Sequence, residues 1–126
     1  MRLARTFFVT SVCFATGVLA QAPNPYNGTW RAEFETKKGA DMQGTIVIKD
    51  QGGSWDMLSK SGSNPCLGRA YQIAVQQATT EALVFEISRS KALAGCKDGT
   101  ATLNRIDDKT LEGEFDHGRR IKLIRQ

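Results

Sequence analysis

The chain of 126 residues is poor in the residues that most often carry chemistry. It has one histidine, three cysteines and three prolines. The single histidine, His117, stands in Asp116-His117-Gly118, a turn context that offers imidazole no partner for metal binding or acid–base work. Cys13, Cys66 and Cys96 lack the close spacing of zinc or redox thiolate pairs. No Ser/His/Asp order and no phosphate-cradling glycine loop stands out. Asp107-Asp108 is a carboxylate pair, but in a short turn its chemistry is that of turns. Basic residues do not alternate with aromatics, so a nucleic-acid stacking platform is unsupported. These gaps leave no catalytic residues, no metal site and no cofactor motif, and they turn the reading from enzyme toward binding protein.

Long apolar runs are also scarce. The one that stands out, 7–19, is as long as a signal-peptide core and short of the roughly 20 residues a spanning helix needs. Arg2 and Arg5 precede it, and Val18-Leu19-Ala20 places small residues for cleavage after Ala20. Cleavage after Ala22 would leave Pro23 next to the cut and is disfavoured. Residues 1–20 therefore read as a signal peptide, with an uncleaved anchor as the alternative. The expected location is secreted or periplasmic, without a stable membrane anchor. Loss of Arg2 and Arg5 takes the 17 basic residues to 15 against 13 acidic ones, so overall charge says little. Loss of Cys13 leaves Cys66 and Cys96, an even pair that reads as one disulfide in an oxidising compartment.

What is abundant is alternation. Residues 21–27 form a Pro/Asn-rich lead-in, expected to be flexible, and from Gly28 apolar and polar residues alternate with the period of half-buried strands. Eight such segments follow at near-even spacing. They are 28–36 with Trp30, Ala32 and Phe34 inward; 43–49 with Ile46 and Ile48; 54–59 with Trp55 and Met57; and 69–76 with Tyr71, Ile73 and Val75. Then come a fifth with Leu83, Phe85 and Ile87; 100–106 with Ala101 and Leu103; a seventh with Leu111, Gly113 and Phe115; and 119–125 with Ile121 and Leu123. Residues 90–95 could wind one helical turn. Short connections leave no room for crossover helices, so neighbours are antiparallel. A sheet with one apolar face must close or pack on another. Closure removes the edges, which predicts one all-β domain over 28–126, an eight-stranded antiparallel up-and-down barrel with one disulfide. A two-sheet sandwich is the alternative.

In a meander the connections alternate between two ends. Loops 37–41, 60–68, 88–98 and 116–118 share one end, and turns 50–53, 78–81 and 107–109 share the other. Cys66 and Cys96 both fall at the long-loop end, two strand spacings or roughly 10 Å apart, a gap that loops can close. That end also gathers Lys37, Lys38, Lys60, Arg69, Arg89, Lys91, Lys97, Arg119 and Arg120 against Asp41, Asp98 and Asp116. Its rim should be positive and attract anions.

Gly28-Thr29-Trp30 at the start of the first strand resembles the Gly-x-Trp element that opens calycin-type barrels such as lipocalins and avidins. In those families a basic residue late in the last strand packs over the tryptophan. The resemblance assigns that role to Arg125, which shares the inward phase of Ile121 and Leu123. Trp30 and Trp55 are then read as packing on the barrel floor. The departure is size: roughly 106 residues after the leader is short for a wide lipocalin cup, and small barrels are often filled.

Two functions follow as expectations. One is binding of a small amphipathic or anionic ligand at the barrel mouth, with Phe34, Arg69, Tyr71, Ile87 and Arg119 near it. The other is recognition of an acidic protein surface by the disulfide-tied loops, through Lys91 and Lys97.

Overall fold

The computed structural model describes residues 9, 11–13, 23–35, 41–57, 65–66 and 69–126. The cleavage site after Ala20, Thr36, loop positions 37–40, Ser59 and Lys60 lie outside the described residues, as does most of the leader.

Eight strands run in order: β1 (Gly28–Glu35), β2 (Asp41–Lys49), β3 (Gly52–Met57), β4 (Ala70–Ala78), β5 (Ala82–Ser88), β6 (Gly99–Arg105), β7 (Thr110–Phe115) and β8 (Arg120–Arg125). Each pairs antiparallel with the next, and β1 pairs with β8 to close the barrel. The closing ladder runs from Trp30 opposite Arg125 to Phe34 opposite Ile121. That ladder rules out the sandwich, because a sandwich leaves β1 and β8 as edges.

Strand period two puts the expected side chains inside. Trp30, Ile46, Trp55, Leu83, Phe85, Ile87, Leu103, Leu111 and Leu123 are almost wholly shielded from solvent. No polar or charged residue is buried among the described ones. At two of the inward glycines the missing side chain has a clear use. At Gly113 a Cβ would come 1.8 Å from the Thr102 carbonyl oxygen, so a glycine there lets β6 and β7 approach. Gly28 has φ 133°, a conformation side chains rarely adopt, and a Cβ on it would meet the Arg125 guanidinium at 3.4 Å. The first residue of the Gly-x-Trp element therefore makes room for the arginine that covers its third.

Several local features differ from the periodic reading. β2 starts at Asp41, so Met42 joins its inward face. The β2–β3 turn is shorter than expected: Lys49 pairs with Gly52, leaving only Asp50 and Gln51 as the turn, with Asp50 at φ 56°. In β4 the register shifts between Val75 and Gln77, leaving Gln76 as an extra residue. That bulge flips the inward phase, so Ala78 rather than a residue in step with Tyr71 packs on the core.

The lead-in is tied down rather than loose over 24–27. Tyr26 is 3 % exposed and its hydroxyl donates to the Thr79 carbonyl. The Trp30 indole N–H donates to the Tyr26 carbonyl at 2.8 Å. Asn24 donates through its side-chain amide to the Asp50 carbonyl, and the Asp50 N–H donates to the Asn27 side chain, both at 2.7 Å. A buried aromatic in a segment read as linker makes this strap a plug for the tight-turn end.

Candidate functional site

The two ends of the barrel are sealed differently. At the tight-turn end the Arg125 guanidinium lies 4.3 Å from the Trp30 ring centroid. It also donates to the carbonyls of Asn27 and Pro25 at 2.9 Å and of Asp108 at 3.2 Å. A hollow of about 360 Å³ remains beside Tyr26, Trp30 and Arg125, but the polar groups of Tyr26, Trp30 and Arg125 are already engaged. This end is a closed floor.

At the long-loop end, half of the mouth is capped. Cys66 and Cys96 are disulfide-bonded with Cα atoms 5.7 Å apart, which closes the gap expected between their loops. The Tyr71 hydroxyl donates to the Cys66 carbonyl at 2.7 Å. After β5 the chain makes a single helical turn, with the Leu93 N–H donating to the Arg89 carbonyl at 3.0 Å, and no longer helix forms. Asp98 fastens this loop. Its carboxylate accepts from the backbone N–H groups of Arg89 and Ser90 and from the Ser90 hydroxyl, at 2.8–2.9 Å. Those hydrogen bonds, chiefly from Ser90, hold the Asp98 carboxyl below the usual aspartate range. The half-buried Arg89 guanidinium lies 5.9 Å from the Tyr71 ring centroid. Burial draws its pKa below the ordinary arginine value, while Tyr71, Asp116 and Asp98 favour its charge. Loop, disulfide and Arg89 together cover the barrel over β4 to β6.

No described residue covers the other half. A cleft of about 740 Å³ lies where β1, β2 and β8 end. Its apolar floor is Phe34, Met42 and Ile121, which are mutual neighbours across the ladders: Phe34 lies opposite both of the others. Arg119 stands at its edge, and Glu33, Asp41, Gln43, Glu112, Arg120 and Lys122 line it from the outer faces of β1, β2, β7 and β8, so the cleft runs over the rim onto the outside of the barrel. Part of that charge is spent internally. Lys122 pairs with Glu112 at 3.9 Å, and Glu33 pairs with Arg31 at 3.1 Å. Behind the floor stands an aromatic cluster, with the Phe34 ring 5.9 Å from Trp55 and 5.8 Å from Phe115. Phe115 in turn stacks on the exposed ring of His117 at 5.1 Å.

Trp55 therefore belongs to the mouth rather than to the floor. β3 begins two residues earlier than the alternation indicated, so Trp55 is its fourth residue and its ring reaches Phe34 and Phe115. Of the five expected ligand-binding residues, the structure brings Phe34 and Arg119 together in the cleft. Tyr71 and Ile87 lie beneath the cap, 4 % and 0 % exposed, and Arg69 is exposed ahead of β4; none of the three lines the cleft. Lys91 and Lys97 are exposed on the disulfide-tied loop. Met42 lines the cleft without having been named, and Arg120 and Ile121, expected at the positive rim and on the inward face, line it without having been assigned to ligand binding. For Met42 the signal was one residue of extra strand, since Met42, Gly44, Ile46 and Ile48 keep a single phase.

No protein-family model matches the chain, and no curated protein matches it. Among solved structures it is similar to small designed barrels. A de novo designed fluorescence-activating β-barrel aligns with a TM-score of 0.54 and 19 % identity over 86 % of this chain and 100 % of that one. A redesigned β-barrel aligns with a TM-score of 0.54 and 16 % identity over 81 % and 92 %. The redesigned barrel mFAP1, bound to DFHBI, aligns with a TM-score of 0.51 and 11 % identity over 81 % and 95 %. At these identities the likeness is one of fold.

Proposed function

We propose that the chain is an extracytoplasmic binding protein that takes a small amphipathic molecule in the cleft at its long-loop end. The observation that carries this reading is the cleft itself: the apolar residues Phe34, Met42 and Ile121 with Arg119 at the edge. An apolar concavity with a few polar groups at its edge is the usual form of a small-molecule site. The mFAP1 barrel is a protein of similar fold bound to a small molecule. The signal-like leader and the Cys66–Cys96 bond support export to an oxidising compartment. The test is titration of the protein without residues 1–20 by the uncharged dye N-phenyl-1-naphthylamine. Saturable one-to-one emission that is lost in Met42→Asp supports the cleft. No binding, or binding indifferent to Met42→Asp, rejects it.

A second reading is favoured by the rigidity of the 89–98 loop. Its disulfide and its Asp98 fastening present Lys91 and Lys97 on a fixed frame, which suits recognition of an acidic protein surface. Reversing both charges should abolish co-purification with such a partner while leaving the melting temperature unchanged. Unchanged co-purification removes this reading.

A further inference from the structure

β8 carries an arginine at each end of its inward face. At the tight-turn end, Arg125 is fully engaged, stacked on Trp30 and donating to three carbonyls. At the mouth, Arg119 precedes β8 in the same phase as Ile121 and Leu123, which are buried. Its carbonyl accepts from the Phe115 N–H at 2.8 Å, which sets Arg119 opposite a buried residue. Residues opposite one another in a ladder share a face, so Arg119 projects over the mouth rather than away from the barrel. It is half-buried and lines the cleft. Among the described residues no hydrogen bond and no ion pair engages its guanidinium.

The neighbouring charges do not serve instead. Lys122 is held by Glu112. Arg120 lies opposite the exposed Glu114, on the outer face. A guanidinium beside an apolar floor acts through a lower effective dielectric than one in open water, and its planar fork matches a carboxylate. The floor offers a phenyl ring and a thioether, surfaces suited to a flat aromatic body. Resting on the binding function proposed above, we infer that Arg119 selects the ligand's charge, and that the ligand is an aromatic monoanion. Its carboxylate is held by Arg119 and its ring lies on Phe34 and Met42.

The test compares 2-naphthoate, 2-naphthalenemethanol and 2-naphthylmethylammonium by titration calorimetry. The wild-type protein should bind naphthoate about tenfold or more tighter than the alcohol, the scale of one hydrogen-bonded charge, with the ammonium weakest. Arg119→Gln should bring naphthoate down to the level of the alcohol while the alcohol's own affinity holds. Arg119→Lys should restore part of the preference, because it keeps the charge and loses the fork. Lys49→Gln, exposed at the opposite end, should change nothing. Equal affinity for naphthoate and alcohol in the wild type overturns the inference, as does a preference that survives in a folded Arg119→Gln. If the uncharged dye still binds in those cases, the cleft stands and only its charge selection falls. If neither the dye nor any naphthalene binds, cleft and selection fail together.

Discussion

Arg125 and Trp30 are opposite partners in the ladder that closes the barrel, and the arginine's guanidinium lies 4.3 Å from the tryptophan ring centroid. One side chain thus joins the last strand to the first, covers the largest core residue at that end, and binds the strap before β1 through Asn27 and Pro25. Stacking of this kind is worth about 0.5–2 kcal/mol, and each retained hydrogen bond adds roughly 1 kcal/mol. Arg125→Leu should therefore cost about 3–5 kcal/mol and lower the melting midpoint by roughly 15–30 °C. Arg125→Lys should recover little, since an ammonium cannot reach three carbonyls from one plane. Thermal melts followed by far-ultraviolet circular dichroism check both; a lysine variant as stable as wild type would show that charge alone does the sealing.

The strap should prove part of the fold. Tyr26 is buried as part of the core, and its carbonyl receives the Trp30 indole N–H. Tyr26→Ala removes a large buried ring and should cost about 3–5 kcal/mol, the scale of an aromatic truncated in a core. Tyr26→Phe removes only the hydroxyl's bond to the Thr79 carbonyl and should cost about 1 kcal/mol. Urea unfolding separates the two. A Tyr26→Ala midpoint near that of wild type would mean that the strap rests on the barrel without supporting it.

The barrel was legible because its evidence is spread over many residues. Period-two alternation in eight segments, short connections and the placing of both cysteines at one end all point to the same topology, and a few ambiguous residues cannot reverse it. Gly28, Trp30 and Arg125 were legible for a second reason: the Gly-x-Trp resemblance singled them out, and their phase and strand position agreed with it. The cleft was less so. Phase distinguishes inside from outside but not an open mouth from a capped one, which is why Tyr71 and Ile87 shared the expected face yet lie under the 89–98 loop. That cap depends on Asp98, which binds the loop's own start, and on Arg89, which reaches the Tyr71 ring in β4. The bulge at Gln76 had no signal in the pattern either, since a single extra residue reads as one more alternation. Tyr26 was a missed cue: a large aromatic just ahead of a strand needs somewhere to pack.

The Cys66–Cys96 bond closes a loop with a sequence separation of 30. On the chain-entropy account a loop of this length contributes about 3–4 kcal/mol by restricting the unfolded chain. Replacing both cysteines by serine should lower the denaturant midpoint accordingly. Both residues lie outside the strands, so the far-ultraviolet spectrum of the folded protein should not change. A loss below about 1 kcal/mol would place the loops close together in the unfolded ensemble already.

Acid should loosen the cap in a defined window. Ser90, through its backbone N–H and its hydroxyl, is the main reason the Asp98 carboxyl sits below the usual range, with the Arg89 N–H and the charge of Lys91 adding to it. A carboxylate with a depressed folded pKa contributes its stabilisation above its unfolded value, and loses it as pH falls through the folded one. The loop should thus hold at neutral pH and down through the ordinary aspartate range, and release only below it. The Arg89 and Ser90 amide proton shifts in an NMR titration report this directly, because both N–H groups point at the titrating carboxylate. Their common midpoint should fall below the ordinary aspartate value of about 3.9, and in Asp98→Asn the inflection should vanish. A midpoint at or above that value would mean that the carboxylate is not the acceptor that fastens the loop in solution. The cap over β4 to β6 would then depend on the disulfide and on Arg89 alone.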